Sequence, residues 1–157
     1  MADDGDVLSR FAITVPPKAD YGRLRKIPFF NVFKEDEDLA TVAKGGVWLG
    51  CPKGTTIMRD GEMEFDFFVV VKGCIEVLKD GRVIGEACEG ELLGEMGALL
   101  HEYRSADAVV KEDCILFRLH VTSLNNLPLQ VVFPLMVFIY RITAKRLKRA
   151  GEKLSHM

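Results

Sequence analysis

The sequence predicts a mainly β fold with helices at both ends, and three observations carry that prediction. Between residues 47 and 119, short β-rich runs alternate with turn signals at Gly54, Asp60-Gly61, Lys72-Gly73, Asp80-Gly81, Glu89-Gly90 and Glu112-Asp113, the spacing of a sandwich or barrel. Residues 34–44 place Leu39, Val42 and Ala43 at helical spacing, with acids in the first turn and Gly45-Gly46 after the last. After residue 119 the helical period returns, with Leu135, Phe138, Ile139, Ile142 and Leu147 forming an apolar stripe.

Composition limits the function classes. A chain of 157 residues fits one domain with a sizeable core, and 48% hydrophobic with 28% charged residues is ordinary for a globular protein. The net charge of −2 gives no global attraction to nucleic acid or to an anionic membrane, so no direct nucleic-acid binding is expected. The longest apolar run, residues 131–140, is too short to span a bilayer and contains Pro134. The N-terminus opens on acids where a secretion signal needs a basic region and an apolar core. Cys51, Cys74, Cys88 and Cys114 stand singly, without a CxxC pair, and read as buried reduced thiols of a cytoplasmic protein. With His101, His120 and His156 far apart, no metal site is expected.

Taken in order, residues 1–19 read as a flexible leader ending in Pro16-Pro17, residues 20–151 as the domain, and residues 152–157 as a tail. Ile27-Pro28-Phe29-Phe30 forms an apolar clip before the 34–44 helix. Residues 65–71 are continuously apolar after Asp66, as in a strand covered on both faces. Asp80-Gly81 is the strongest hairpin signal and joins 74–79 to 82–88. Residues 121–127 form a short helix with Thr122 or Ser123 as its cap. A longer helix starts at about Pro134, in its first turn, and runs to about Arg149, with Gly151 as its stop.

The stretch with chemical content is residues 90–110. Gly94-Glu95-Met96-Gly97-Ala98-Leu99 opens a short helix, and nine residues after Glu95 come Arg104, Ser105 and Ala106. Free N–H groups at a helix start, glycines that admit a ligand to the backbone, and an arginine fork make an anion cradle. Glu95 repels a phosphate, so in such a site it must accept from a neutral donor such as a sugar hydroxyl. A phosphate and a hydroxyl a few ångströms apart describe a nucleotide. The plainer readings stand beside this one: Arg104 pairing Glu102 or Asp107 on the surface, Glu95 answering its own helix dipole, and the glycines serving turns. Arg141, Lys145, Arg146, Lys148, Arg149 and Lys153 read as the solvated, dipole-complementing face of the last helix.

The 94–99 segment, with Arg104-Ser105-Ala106 at that distance, resembles the phosphate-binding cassette of the cyclic nucleotide-binding domain family, whose members include the catabolite activator protein, kinase regulatory subunits and gated channels. The resemblance extends over residues 27–149. It implies an eight-stranded β jelly-roll sandwich with N-terminal helices and a long C-terminal helix. It also implies a cyclic nucleotide ligand, cAMP more than cGMP, held at Gly94, Glu95, Met96, Gly97, Ala98, Arg104, Ser105 and Ala106. Val77, Ile84 and Leu93 would flank the ribose or purine, Arg146 would reach the base from the long helix, and the side chains of Met96 and Leu99 are expected in the core. Ala150 and Gly151 stand where activator members place base-fixing hydroxyls, which leaves base selectivity open. Without a nucleophile–base pair the site is a receptor, not an enzyme, and it signals through its C-terminal helix. A homodimer through that helix, or an effector protein, would be the partner; an interaction module without a nucleotide is the alternative.

Overall fold

The computed structural model describes residues 6–155. Its elements follow one another as β1 (Ala12–Ile13), α1 (Tyr21–Leu24), α2 (Pro28–Asn31), α3 (Asp36–Lys44), β2 (Val47–Cys51), β3 (Thr56–Met58), β4 (Asp66–Lys79), β5 (Arg82–Cys88), β6 (Leu92–Leu93), α4 (Glu95–Leu100), β7 (Asp107–His120) and α5 (Leu129–Ser155). All strand pairs are antiparallel, in the order β1-β2-β7-β4-β5, with β3 on β7 and β6 on β4. This is the β fold with flanking helices and a long C-terminal helix that the sequence predicts.

Seven strands stand where eight were expected, because β4 and β7 are each 14 residues long and run through positions that read as turns. Gly73 has φ +89°, yet its role is to bend β4, not to end it; a Cβ there would lie 2.3 Å from the Asp113 carbonyl oxygen. The β4–β7 register shifts at the same place, between Val70 and Ile75. On one side of the bend β4 pairs β6, and on the other it pairs β5. The long strands therefore fold the sheet over itself.

Strand alternation then builds two cores. Trp48, Phe67, Val69, Phe117 and Leu119 point toward the helices, where they meet Phe29, Phe30, Leu39 and the first turns of α5. Leu49, Phe68, Val70, Ile75 and Leu116 point into the folded sheet with Met58 and Leu93. Both faces of β4 are thus covered, which explains its unbroken apolar run. The 27–30 clip delivers Phe29, whose ring lies 5.0 Å from Phe30 and 6.0 Å from Phe138 of α5. Trp48 stacks on Phe30 and donates its indole N–H to the Ala43 carbonyl at 2.9 Å, tying α3 to β2.

The chain ends differ from the sequence reading. Residues 1–5 of the expected leader and residues 156–157 of the expected tail lie outside the described residues. The rest of the leader is not free: Val7–Phe11 forms a 3-10 turn, Ala12–Ile13 pairs Trp48–Leu49, and Leu8 and Phe11 pack on the inner core. Arg118 holds this strap by two bonds to Asp6, at 2.7 and 3.3 Å, across 112 residues that no local pattern connects. Arg118→Gln is expected to cost about 1 kcal/mol, since the Asp6 end is 41% exposed, and to speed hydrogen exchange at Ala12 and Ile13. Unchanged exchange would show that Leu8 and Phe11 hold the strap without the ion pair.

The end of the chain also departs from expectation. Residues Val121–Asn126 form a 3-10 helix, and its cap is the His120 ring, which accepts from the Thr122 N–H at 3.2 Å, not Thr122 or Ser123. The last helix starts at Leu129, so Pro134 lies inside it. Proline removes one backbone bond there, but Val131 and Leu135 are fully buried on either side of it, and that packing holds the turn. Gly151 does not stop the helix, which continues to Ser155. A helical glycine costs about 1 kcal/mol against alanine, too little to end an otherwise regular helix.

A further correction concerns the cysteines. The β4–β5 register sets Cys74 opposite Cys88 with Cα atoms 4.1 Å apart, and the two form a disulfide. Cys51 and Cys114 are free and buried, as expected. Among the described residues no helix is long and apolar enough to cross a membrane.

Candidate functional site

The 90–110 segment folds into a cradle whose parts come from three places in the chain. β6 pairs Phe68 and Val69 of β4, and Gly94 then turns with φ +81° to become the N-cap of α4. Only glycine takes that conformation at no steric cost. A side chain would also find no room, because a Cβ on Gly94 would lie 2.6 Å from the Arg104 guanidinium and 3.0 Å from the Met58 sulfur. The N–H groups of Glu95, Met96 and Gly97 begin the helix without intrahelical partners, while Ala98 N–H returns to the Gly94 carbonyl at 3.1 Å. His101, with φ +54°, closes the helix, and the chain turns back toward Arg104.

Arg104 is 3% exposed and does not pair Glu102 or Asp107. Its guanidinium instead donates to the carbonyls of Gly94, at 3.0 Å, and Asp66, at 2.5 Å, with Glu64 3.9 Å away. Its main chain is tied on both sides to the 59–66 loop, through Arg104 N–H to the Glu62 carbonyl and Gly61 N–H to the Arg104 carbonyl. Burial pulls the guanidinium down from its usual pKa, against the pull of Glu64, Asp66 and Glu62, and the group stays charged. Burial, reinforced by Glu62, pushes the Glu64 carboxyl up against the opposing pull of Arg104. One donor is left over: the Arg104 Nε–H is buried and has no partner among the described residues. An unpaired charged donor in the interior costs free energy that an anionic acceptor would relieve, and on the Gly97 side a Cβ would stand 3.6 Å from the same guanidinium.

Glu95 is the second buried charge, at 2% exposure. Its Oε1 bonds Arg146 of α5, among the described residues the one side-chain bond between the cassette and the long helix beyond Ile142. The sequence reading places Arg146 at the base; here its first partner is Glu95. Of the other expected site residues, Leu93, Ala98 and Ala106 are buried in the walls, Gly97 is half-buried and Ser105 is exposed beside Arg104. Val77 is half-buried against the inner core, whereas Ile84 is 63% exposed near the β4–β5 tip. Met96, whose side chain was expected in the core, is 49% exposed, while Leu99 does pack on the helical core. Sequence reasoning missed Met58, which packs at Gly94, and Glu64 and Asp66, which meet Arg104 from the other side. An acid-rich loop just before an apolar strand was the available signal, but nothing in its spacing points to Arg104 some 40 residues on.

A cavity of about 850 Å³ lies elsewhere, under the N-terminal strap between Gly45–Val47 and the 59–66 loop, and none of Gly94, Glu95 or Arg104 lines it. Within it Arg118 pairs Asp6 and Arg59 pairs Glu62, while Glu64 and Asp66 add carboxylates that repel an anion. The cradle, with its unpaired donor, is the better candidate for a ligand.

Comparison with known proteins identifies the family. The model of the cyclic nucleotide-binding domain matches residues 50–130, more than half of the chain. A Pycsar effector protein of Xanthomonas perforans, XpPycTIR, is 30% identical over 74 residues, 46% of this chain and 24% of that protein. A cAMP-dependent protein kinase regulatory subunit of Yarrowia lipolytica is 29% identical over 69 residues, 44% of this chain and 18% of that protein. The chain therefore spans a quarter or less of these curated relatives. A cyclic nucleotide-binding domain from Methylobacillus flagellatus superimposes with a TM-score of 0.79 at 13% identity, covering 95% of this chain and 90% of that one, a likeness of fold. The matched segment contains the whole cradle from Met58 through Arg104, so with its buried arginine, its left-handed glycine and its sheet, the chain belongs to the cyclic nucleotide-binding domain family.

Proposed function

We propose that this chain is a receptor module for a cyclic nucleotide, cAMP in preference to cGMP, that reports occupancy through α5 and performs no turnover. The observation that carries the reading is the unpartnered, buried Arg104 Nε–H beside the left-handed Gly94. In this reading the exocyclic oxygens of the cyclic phosphate take Arg104, the first N–H groups of α4 and Ser105. Glu95 accepts the ribose 2′-hydroxyl on the carboxylate oxygen that Arg146 leaves free. Val77 and Leu93 flank the sugar, Ile84 covers an edge of the purine, and Met96, Ala98 and Ala106 complete the walls.

Signalling follows from the shared carboxylate. A ligand shifts a conformational equilibrium only by contacting its two states differently. A sugar hydroxyl on Glu95 fixes the carboxylate that holds Arg146, so occupancy favours the arrangement in which α5 lies against the cassette. Up to Ile142 that helix is anchored by Val131, Leu135 and Ile139; beyond it the Arg146 bond is what remains. Ligand should therefore slow hydrogen exchange over residues 138–153 well beyond any change over residues 65–78. Saturating ligand that protects the cassette but leaves 138–153 unchanged would mean binding without signalling.

The outer face of α5 supports a second copy of the chain as partner. Leu129, Phe133, Met136, Tyr140, Leu147 and Leu154 are exposed on it, at steps of four, three and four residues and then of whole heptads, the spacing of a coiled-coil seam. The same stripe favours the alternative reading, an interaction module of this family with no physiological nucleotide, acting in the cytoplasm through dimerisation or docking of an effector. Titration calorimetry with cAMP and cGMP separates the two. Binding of cAMP with about 1–3 kcal/mol of preference over cGMP, the worth of one or two polar contacts, is the expected result, and absence of heat with both ligands leaves the interaction module.

A further inference from the structure

We infer that Cys74–Cys88 is a thiol–disulfide modification site, open to small dithiols, that sets the order of the nucleotide cassette. The inference rests on the receptor reading for its functional consequence, but its structural part stands on the sheet alone.

The bond lies at the base of the β4–β5 hairpin, where the chain leaves for the cassette. Five residues separate Cys88 from Gly94. In that span Cys88 N–H donates to Glu91 Oε1 at 3.0 Å, Gly90 N–H to the Val70 carbonyl at 2.7 Å, and Glu91 N–H to the Cys88 carbonyl at 2.9 Å. Cys74 sits at the weakest point of β4. Its ladder to β7 slips on both sides of it, between Lys72 and Cys74 and again between Cys74 and Ile75. β5 is the edge strand and is held by β4 alone. The cross-link therefore adds a covalent tie to the β4–β5 ladder at the point where β4 is held irregularly on its β7 side.

Access and selectivity also fit. Cys74 and Cys88 are both half-buried, and the Cys88 sulfur lies 3.9 Å from the solvent-facing Glu86 carboxylate. The other two sulfurs, Cys51 and Cys114, are buried, and burial pushes both thiols up to about 11, so they compete poorly in exchange. In a reducing compartment a disulfide with this exposure is the kind that cycles. The chemistry balances as two exchanges. One thiolate of a dithiol attacks a sulfur of the pair, forming a mixed disulfide and releasing the other cysteine thiolate. The second thiolate of the dithiol then displaces the protein, leaving two cysteine thiols and the cyclic disulfide of the reagent, with two electrons transferred to the protein.

The test uses the full chain, oxidised and after dithiothreitol, beside a Cys74→Ser/Cys88→Ser variant. Alkylation and mass measurement should count two free thiols before reduction and four after it. Hydrogen exchange over residues 82–98 should rise on the order of tenfold on reduction, because closing a loop of this length is worth that much or more locally. The double variant should match the reduced chain with or without reductant. In parallel, cAMP should bind the oxidised form about tenfold more tightly. Two thiols persisting in dithiothreitol would overturn the modification site, and unchanged exchange would overturn its effect on the cassette. Equal cAMP affinity of the two forms would overturn the link to binding. If neither form binds cAMP, the receptor reading fails, and the exchange comparison still decides the switch.

Discussion

Arg104→Lys is expected to lower cyclic nucleotide affinity by more than a hundredfold and, at the same time, to destabilise the protein without ligand. The binding loss follows from geometry: lysine keeps the charge but has neither the fork nor the Nε–H that stands unpaired in the cradle. Removing one partner from a buried charged contact costs about 3–5 kcal/mol, which exceeds a hundredfold. The stability loss follows from what else the side chain does. It donates to the Gly94 and Asp66 carbonyls and so joins α4 to β4. Bonds from a charged donor are worth about 1.5–3 kcal/mol, and a single ammonium cannot keep both. At about 2–4 °C per kcal/mol for a chain of this size, the melting temperature should fall by several degrees. Binding measured well below that temperature separates the two effects. A variant that binds within a few-fold of the parent would show that Arg104 is a strut of the fold and not the phosphate ligand.

The double role of Arg104 shows what was legible in the sequence. The cradle could be read because its signal is local: a helix start, two glycines and an arginine within a dozen residues. The helix at Asp36–Lys44 and the hairpin at Asp80-Gly81 were legible for the same reason. What escaped depends on register and on contacts made across the chain. Gly73 has the positive φ of a turn residue, and only the Asp113 carbonyl packed against it reveals a bent continuous strand. Cys74 and Cys88 look like two single thiols until the hairpin register sets them face to face. Pro134 and Gly151 carry correct local costs that the docking of α5 overrides. Glu64 and Asp66 reach Arg104 through a loop whose course follows from the backbone bonds of residues 61–62, which no periodicity encodes.

Glu95→Gln is expected to weaken cAMP by about tenfold to a hundredfold, the worth of about 1.5–3 kcal/mol for a hydrogen bond to a charged acceptor. With the 2′-deoxy nucleotide, which lacks the donor, the same substitution should cost far less, so the two losses do not add. The second arm of the experiment concerns α5. Arg146 is 42% exposed but its partner carboxylate is 3% exposed, so Arg146→Ala leaves a buried charge facing only water at its rim. A discounted cost of about 1–2 kcal/mol is expected, with faster exchange over residues 143–153, since no core residue anchors the helix past Ile142. In the Glu95→Gln background that charge is gone and Arg146 has lost its anchor, so Arg146→Ala should add little to either exchange or affinity. The coupling runs through one carboxylate, and it makes the sugar contact and the helix contact interdependent. If Glu95→Gln and Arg146→Ala give fully additive losses of cAMP affinity, the helix does not hear the ligand through Glu95, and α5 must be reached through the base.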